Sequence, residues 1–284
     1  EVLRTKVTAA RQALPMDYRN GFRKSFSPTW KEGTREITDN ALVVNNNYMY
    51  DWTWTNTATY EFQAGEFHAS GIAGIEARLY RTEFIEGKRE DYLLQDPIYF
   101  YLDAGSGNQT NANGGSEYTT YSQFGKINLN YGNRYLLGLT LRHDASSRFG
   151  KDNNSAFFPA VSAGWRLGNE PFMKNLTFID ELKIRGSWGR NGNDLIDNEA
   201  SYSKFYINNI KASYDIAGTD NSVWPGVVKT RSANLALRWE VTTQENAGID
   251  VAMFGNRLDF TFDIYNKDTD DMLIDRPYIG VIGE

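Results

Sequence analysis

The stretch Lys126–Arg142, KINLNYGNRYLLGLTLR, decides the fold. Before the turn, Ile127, Leu129 and Tyr131 share one parity, while Lys126, Asn128 and Asn130 share the other. Successive side chains of a strand point to opposite faces, so this alternation predicts a strand with one apolar and one polar face. Gly132-Asn133 is a two-residue hairpin signal. After it, Tyr135, Leu137, Leu139 and Leu141 continue the apolar face, opposed by Arg134, Gly138, Thr140 and Arg142. The pattern returns near the C-terminal end. Ile249, Val251 and Met253 lead into Gly255-Asn256, after which Leu258, Phe260, Phe262 and Ile264 alternate with Asp259, Thr261 and Asp263. Both turns read Gly-Asn-Arg.

Working outward, Tyr48, Tyr50, Trp52, Trp54, Tyr60 and Phe62 fall on one parity, opposed by Asp51, Thr53, Thr55, Thr57, Thr59 and Glu61. Nine candidate strands follow, near residues 2–9, 46–63, 66–81, 117–131, 134–147, 156–167, 180–191, 238–254 and 257–273. Connections near 64, 132, 173 and 255 are short. Those at 10–45, 82–116 and 192–237 are long, and 148–155 is intermediate. Residues 167–180 carry Asn169-Glu170-Pro171-Phe172-Met173-Lys174, which suggests a single helical turn. The Gly- and Asn-rich residues 104–117 lack apolar periodicity and read as a loop, mobile until something binds it.

Long strands joined alternately by short and long connections are the pattern of a bacterial outer-membrane barrel, with turns in the periplasm and loops outside. Composition agrees: aromatics make up 14% of the 284 residues, with Tyr 17, Phe 16, Trp 7 and Gly 25, a profile of strands and turns. A mean hydropathy of −0.55 first suggests a soluble chain, and no stretch approaches the roughly 18 to 20 apolar residues of a spanning helix. Barrel strands of about 9 to 11 residues alternate lipid-facing and lumen-facing residues, however, so their average hydropathy is low. The fold class expected is all-β, an antiparallel transmembrane barrel. Residues 1–284 are expected to form part of one such domain: with Glu1 in place of Met and no charged-then-apolar signal segment, the chain is expected to start after processing or inside a longer protein, the fragment being the preferred reading.

Charge and chemistry exclude several functions. The net charge of −6 comes from dispersed residues with no basic run, so nucleic acid is no partner. Zero cysteines remove disulfides, thiolate nucleophiles and Cys-ligated metals. His68 and His143 stand alone in sequence, and Asp268-Thr269-Asp270-Asp271 lacks calcium-loop spacing, so no metal and no cofactor is expected. No nucleophile elbow, complete dinucleotide fingerprint or phosphate-binding loop is present, and an enzyme is not expected.

Residues 134–175, RYLLGLTLRHDASSRFGKDNNSAFFPAVSAGWRLGNEPFMKN, followed by ELKIRGSWGRNGN at 181–193, resemble the SusC/RagA family of TonB-linked outer-membrane proteins. LRWEVTTQENAGIDVAMFGNRLDFTFDIYNKDTDDMLI, residues 237–274, is similar to later strands of the same family, while residues 1–116 match only in general character. Ala145 stands where that family usually has Gly, and Ala247 where a larger aliphatic is common. The resemblance implies a barrel of about 22 strands with an internal plug. It also implies import of oligosaccharides or peptides with a SusD-like surface lipoprotein, driven by the TonB complex through an N-terminal region absent from this chain. The plug and the closing, aromatic-terminated strand are absent too. The alternatives are a structural or adhesive barrel without transport and a secreted carbohydrate-binding β-sandwich.

Within that frame, Arg142, Asp144, Ser146, Ser147 and Arg148 read as loop scaffold rather than a ligand site. Glu76, Arg78, Lys126, Arg166, Lys183, Arg185, Asp250, Asp259 and Asp263 face the lumen, their mixed signs favouring cross-strand pairs and plug contacts. Trp52, Trp54, Trp165, Trp188 and Tyr135 suit interfacial girdles in the surrounding outer-membrane lipid. The candidates for ligand contact are Tyr202, Tyr206, Tyr214 and Trp224, set among Asn and Asp in the long connection at 192–237.

Overall fold

The computed structural model describes residues 4–13, 17–37, 39–215 and 223–274. Its strands are β1 (Arg4–Ala13), β2 (Asp17–Ser27), β3 (Trp30–Glu32), β4 (Arg35–Ile37), β5 (Ala41–Ala64), β6 (Phe67–Glu90), β7 (Gln109–Tyr131), β8 (Tyr135–Ser146), β9 (Ser155–Arg166), β10 (Ile179–Asn193), β11 (Lys204–Asp215), β12 (Val223–Arg231), β13 (Glu240–Met253) and β14 (Leu258–Asp270). Four 3-10 turns interrupt the connections: η1 (Pro97–Tyr99), η2 (Leu102–Ala104), η3 (Leu167–Asn169) and η4 (Pro171–Met173). The one expected helical turn is thus a pair, η3 and η4, broken at Glu170 by Pro171.

A single ten-stranded sheet runs in the order β1-β5-β6-β7-β8-β9-β10-β13-β14, with β2 also paired to β5. Its nine path positions correspond in order to the nine expected strands. The sheet is open among the described residues, with β1 at one end of the path and β14 at the other. The hairpins β3–β4 and β11–β12 stand apart from it.

The chain divides into two compact units, residues 1–12, 55–77 and 120–284 in the first and residues 13–54 and 78–119 in the second. In the first unit, the cross-strand register carries the periodicity argument from one strand to the next. Tyr131 pairs Tyr135, Tyr135 pairs Trp165, Trp165 pairs Ile184, Ile184 pairs Ile249 and Ile249 pairs Phe262. All six side chains are exposed. A further row, Ile127, Leu139 and Val161, is also exposed. Rows of exposed aromatic and aliphatic side chains this wide are not stable against water and are what a bilayer requires.

Burial gives the same answer from the other side. The buried apolar side chains among the described residues are only Leu42, Tyr92, Phe149, Phe158, Trp239 and Ala252. A sandwich keeps its large apolar residues between two sheets; here they lie on the outside of one, which removes the soluble β-sandwich alternative.

The turns explain the register. Gly132 and Asn133 adopt φ of 59° and 52°, the paired left-handed conformation of the hairpin whose twist matches its strands. Gly255 and Asn256 at 68° and 57° do the same, joined by Phe254 at 59°. At the opposite edge, Phe149, Phe158 and Trp239 form the only buried apolar cluster among the described residues, with ring centroids 5.4 Å apart for Phe149–Trp239 and for Phe158–Trp239.

In the second unit, residues expected as long loops are largely strand. β5, β6 and β7 extend well past the expected limits, to 24, 24 and 23 residues. The expected loop at 104–117 is corrected: from Gln109 it belongs to β7. Its glycines are there for close packing, since a Cβ on Gly114 would lie 2.7 Å from the Phe84 ring and one on Gly115 would lie 2.8 Å from the Thr82 carbonyl oxygen. This unit is held by Asp51 and Arg78 in a two-pronged pair at 3.0 and 2.6 Å, and by buried Asn40, whose amide donates to the Tyr92 carbonyl at 2.9 Å.

Candidate functional site

On the polar face of the first unit, a concave groove of about 1250 Å³ is lined by His68, Asn128, Asn130, Ser162, Lys183 and Asn246, among others. Strand alternation puts these residues opposite the apolar rows, so the wall is wet on one side and greasy on the other.

Its charges are paired across strands. Arg185 on β10 donates to Asp250 on β13 at 3.0 Å, to Asp263 on β14 at 2.8 Å and to Asn246 at 3.3 Å, while Lys183 lies 3.5 Å from Asp250. Opposite Arg185 in register stands Gly248, where a Cβ would fall 2.6 Å from the Asp263 carboxylate and 2.8 Å from the guanidinium carbon. The three-strand network therefore needs a residue without a side chain at that point. Further along, Arg142 binds Asp144 at 2.7 Å and Ser122 at 2.9 Å, and lies 3.9 Å from Glu76, which accepts from Thr55 at 3.0 Å. Arg166 bonds Asn133 at 2.8 Å and lies 3.7 Å from Glu181. The mixed-sign reading as cross-strand pairs agrees with this geometry for Glu76, Arg78, Arg166, Lys183, Arg185, Asp250 and Asp263, while among the described residues no pair forms at Lys126 or Asp259. Asp51, Glu181 and Asn246 complete the pairs, and sequence had not marked them as partners.

At the long-connection edge, the Ser146 hydroxyl donates to Asp194 at 2.8 Å, and Arg148 donates to Asn198 at 2.8 Å and to the Asp194 carbonyl at 3.0 Å. Ser201 donates to the Arg148 carbonyl at 3.1 Å. The motif residues Ser146 and Arg148 thus anchor the start of the long connection, whose Asp194, Asn198 and Ser201 no local spacing could have matched to them.

That connection carries the β11–β12 hairpin. Tyr202 and Tyr206 are exposed, and backbone pairing sets Tyr214 opposite Trp224. The side chains of Tyr214 and Trp224 lie outside the described residues. The four expected ligand contacts therefore share one hairpin and its approach.

At the short-turn edge, Tyr131, Tyr135 and Trp165 stack at 6.4 and 6.3 Å, as a girdle would. Buried Glu170, between η3 and η4, accepts from Trp165 Nε1 at 2.9 Å and from the Tyr135 hydroxyl at 2.7 Å, with Arg134 at 3.5 Å. These donors, Trp165 first, hold its carboxyl below the usual carboxylate range. The sequence reading saw Glu170 only as a helix-start signal. Its anchoring role depends on two aromatic polar atoms from other strands.

Fold and face together define a length of outer-membrane β-barrel wall with a wet inner surface. The sequence matches the TonB dependent receptor-like, beta-barrel family over residues 7–283, and the chain belongs to that family. It is 32% identical over 253 residues to TonB-dependent receptor P3 of Formosa agariphila, covering 88% of this chain and 24% of that protein. It is likewise 32% identical over 262 residues to TonB-dependent receptor SusC of Bacteroides thetaiotaomicron, covering 88% and 25%. The solved structure of the RagAB peptide transporter superimposes with a TM-score of 0.84 at 25% identity, over 98% of this chain and 30% of that one. The chain thus spans about a quarter of the length of the curated relatives it matches. The curated relatives are TonB-dependent receptors and the solved structure is a peptide transporter, and the SusC/RagA resemblance of residues 134–193 and 237–274 extends over nearly the whole chain.

Proposed function

We propose that this chain is part of the wall and surface of a TonB-dependent importer of SusC type that takes up oligosaccharides or peptides. The observation that carries the reading is the match to SusC and to the RagAB peptide transporter over nearly all of this chain. A polar groove of about 1250 Å³ on one face of the first unit supplies the wet inner surface that such an importer requires. In this reading residues 1–284 belong to one barrel domain of about 22 strands. A plug fills the lumen against the Arg185–Asp250–Asp263 network, the TonB complex energises the plug, and a SusD-like lipoprotein covers the extracellular side. Tyr202, Tyr206, Tyr214 and Trp224 contact substrate by stacking, the mode in which an aromatic face meets a sugar ring or a peptide side chain. No step of bond chemistry is assigned to the chain.

The test is uptake in the cell that carries the full-length protein. Deleting its gene should abolish uptake of either labelled oligosaccharides or labelled peptides, and inactivating TonB should do the same with the protein still present. Unchanged uptake of both classes, with reduced attachment of cells to surfaces, would replace this reading by the adhesive barrel.

A further inference from the structure

The lipid-facing side of the first unit is not evenly covered. Two apolar depressions, of about 740 and 600 Å³, share Ala58, Ala73, Gly125 and Leu141 and so form one trough. Ile127, Leu139, Val161 and Trp188 flank its lower part, and Gln123, His143 and Phe157 line its end toward the long connections. From Leu139 to His143 the trough follows five residues of β8, about 13 Å of strand.

The floor is open for no reason internal to the protein. A Cβ on Gly71 would meet only the Lys126 carbonyl oxygen at 3.8 Å, and one on Gly125 only that of Ile72 at 3.8 Å. Other glycines of this sheet, such as Gly74 and Gly189, are packed against: a Cβ on Gly74 would lie 2.5 Å from the Phe124 ring, and one on Gly189 would lie 2.9 Å from Ala160. Gly71 and Gly125 instead leave space that a side chain could fill and none does. The polar end differs in kind from the floor. His143 packs on Phe157 with ring centroids 4.4 Å apart, and the Gln123 amide reaches the Tyr121 hydroxyl at 3.2 Å. Imidazole and amide N–H groups thus border the trough at its end toward the long connections.

From this geometry we infer that the trough binds one acyl chain of an outer-leaflet lipid, whose phosphate-bearing headgroup accepts hydrogen bonds from His143 and Gln123. The occupant follows from place: the trough is continuous with the lipid-facing rows, so hydrocarbon already surrounds it, and an empty apolar groove there would forfeit contact that an ordered chain restores. The inference rests on the outer-membrane placement and is independent of transport.

The full-length protein, reconstituted with phosphatidylglycerol and stripped by detergent exchange, is examined by native mass spectrometry. One lipid per chain should remain on the wild type. Filling the floor with Gly71→Val and Gly125→Val should lower retention by roughly tenfold, and His143→Ala should lower it as well. Gly186→Val, whose Cβ is equally open (nearest atom the Asn246 carbonyl oxygen at 3.7 Å) but lies outside the trough, should retain the lipid. Equal retention by the filled variant, loss in Gly186→Val to the same extent, or loss of a protein dimer in place of a lipid would each overturn the proposal. A second measurement needs no change to the floor: quenching of Trp188 by brominated phosphatidylglycerol, read as the difference from Trp188→Phe. It should saturate at a low brominated fraction, and quenching proportional to that fraction would refute ordered binding.

Discussion

Two single residues show how far local chemistry governs this wall. Glu170 is 5% exposed, and it accepts from Trp165 and Tyr135 beside Arg134. Because these donors favour the ionised carboxylate, its folded pKa lies below the unfolded one. The stabilisation is therefore complete above the ordinary carboxylate range and is lost as pH falls through the lowered folded value. Glu170→Gln should make the barrel less heat-resistant at neutral pH, and the gap from wild type should close in acid; a gap that persists undiminished would assign the effect to packing alone. Gly192 shows a steric limit. A Cβ there would run into the ring of buried Phe158, which is fixed against Trp239. Gly192→Ala should cost about 1–3 kcal/mol by overpacking, measured as a lower urea midpoint for the full-length protein with its m-value unchanged.

At the scale of elements, sequence was most legible where the bilayer imposes alternation. β8, expected at 134–147, is Tyr135–Ser146, and the Gly-Asn turns of β7–β8 and β13–β14 fall where residue type demands left-handed backbone. It was least legible where strands project past the bilayer. Gln109–Ser116 has water-tolerant residues on both faces, so no period marks it, and the backbone ladder to β6 alone makes it a strand. β2 and the β11–β12 hairpin were hidden for the same reason. Paired charges such as Arg185 with Asp250 and Asp263 could be placed on the polar face, but their partners depend on a register spanning three strands. The outward assignment of the apolar parity carries its own prediction. Leu139→Arg or Phe260→Arg puts a charge into hydrocarbon, costing about 2–4 kcal/mol near the midplane. Either should reduce the assembled, heat-resistant form in outer-membrane fractions, and normal assembly of both would reverse the two faces.

For the whole molecule, wall and proposed recognition surface make separable demands on the sequence. The wall must alternate, pair its lumen charges and anchor its turns. The β11–β12 hairpin is free of all three demands, since it lies off the main sheet, with Tyr202, Tyr206, Phe205 and Ile207 exposed. Large exposed aromatics that no membrane covers are retained when something binds them. The connection that carries them is itself fixed at its base by Ser146 and Arg148 through Asp194 and Asn198. If the hairpin contacts substrate as proposed, that anchoring limits the entropy lost on binding. Replacing Tyr202, Tyr206, Tyr214 and Trp224 together by alanine should therefore leave barrel assembly and heat resistance unchanged while raising the substrate concentration for half-maximal uptake by roughly tenfold or more, about 1.4 kcal/mol of lost contact. Arg148→Ala should raise it too, by freeing the base of the connection with every aromatic still in place. Uptake unaltered by the quadruple change would move recognition to the lumen groove beside Lys183 and His68.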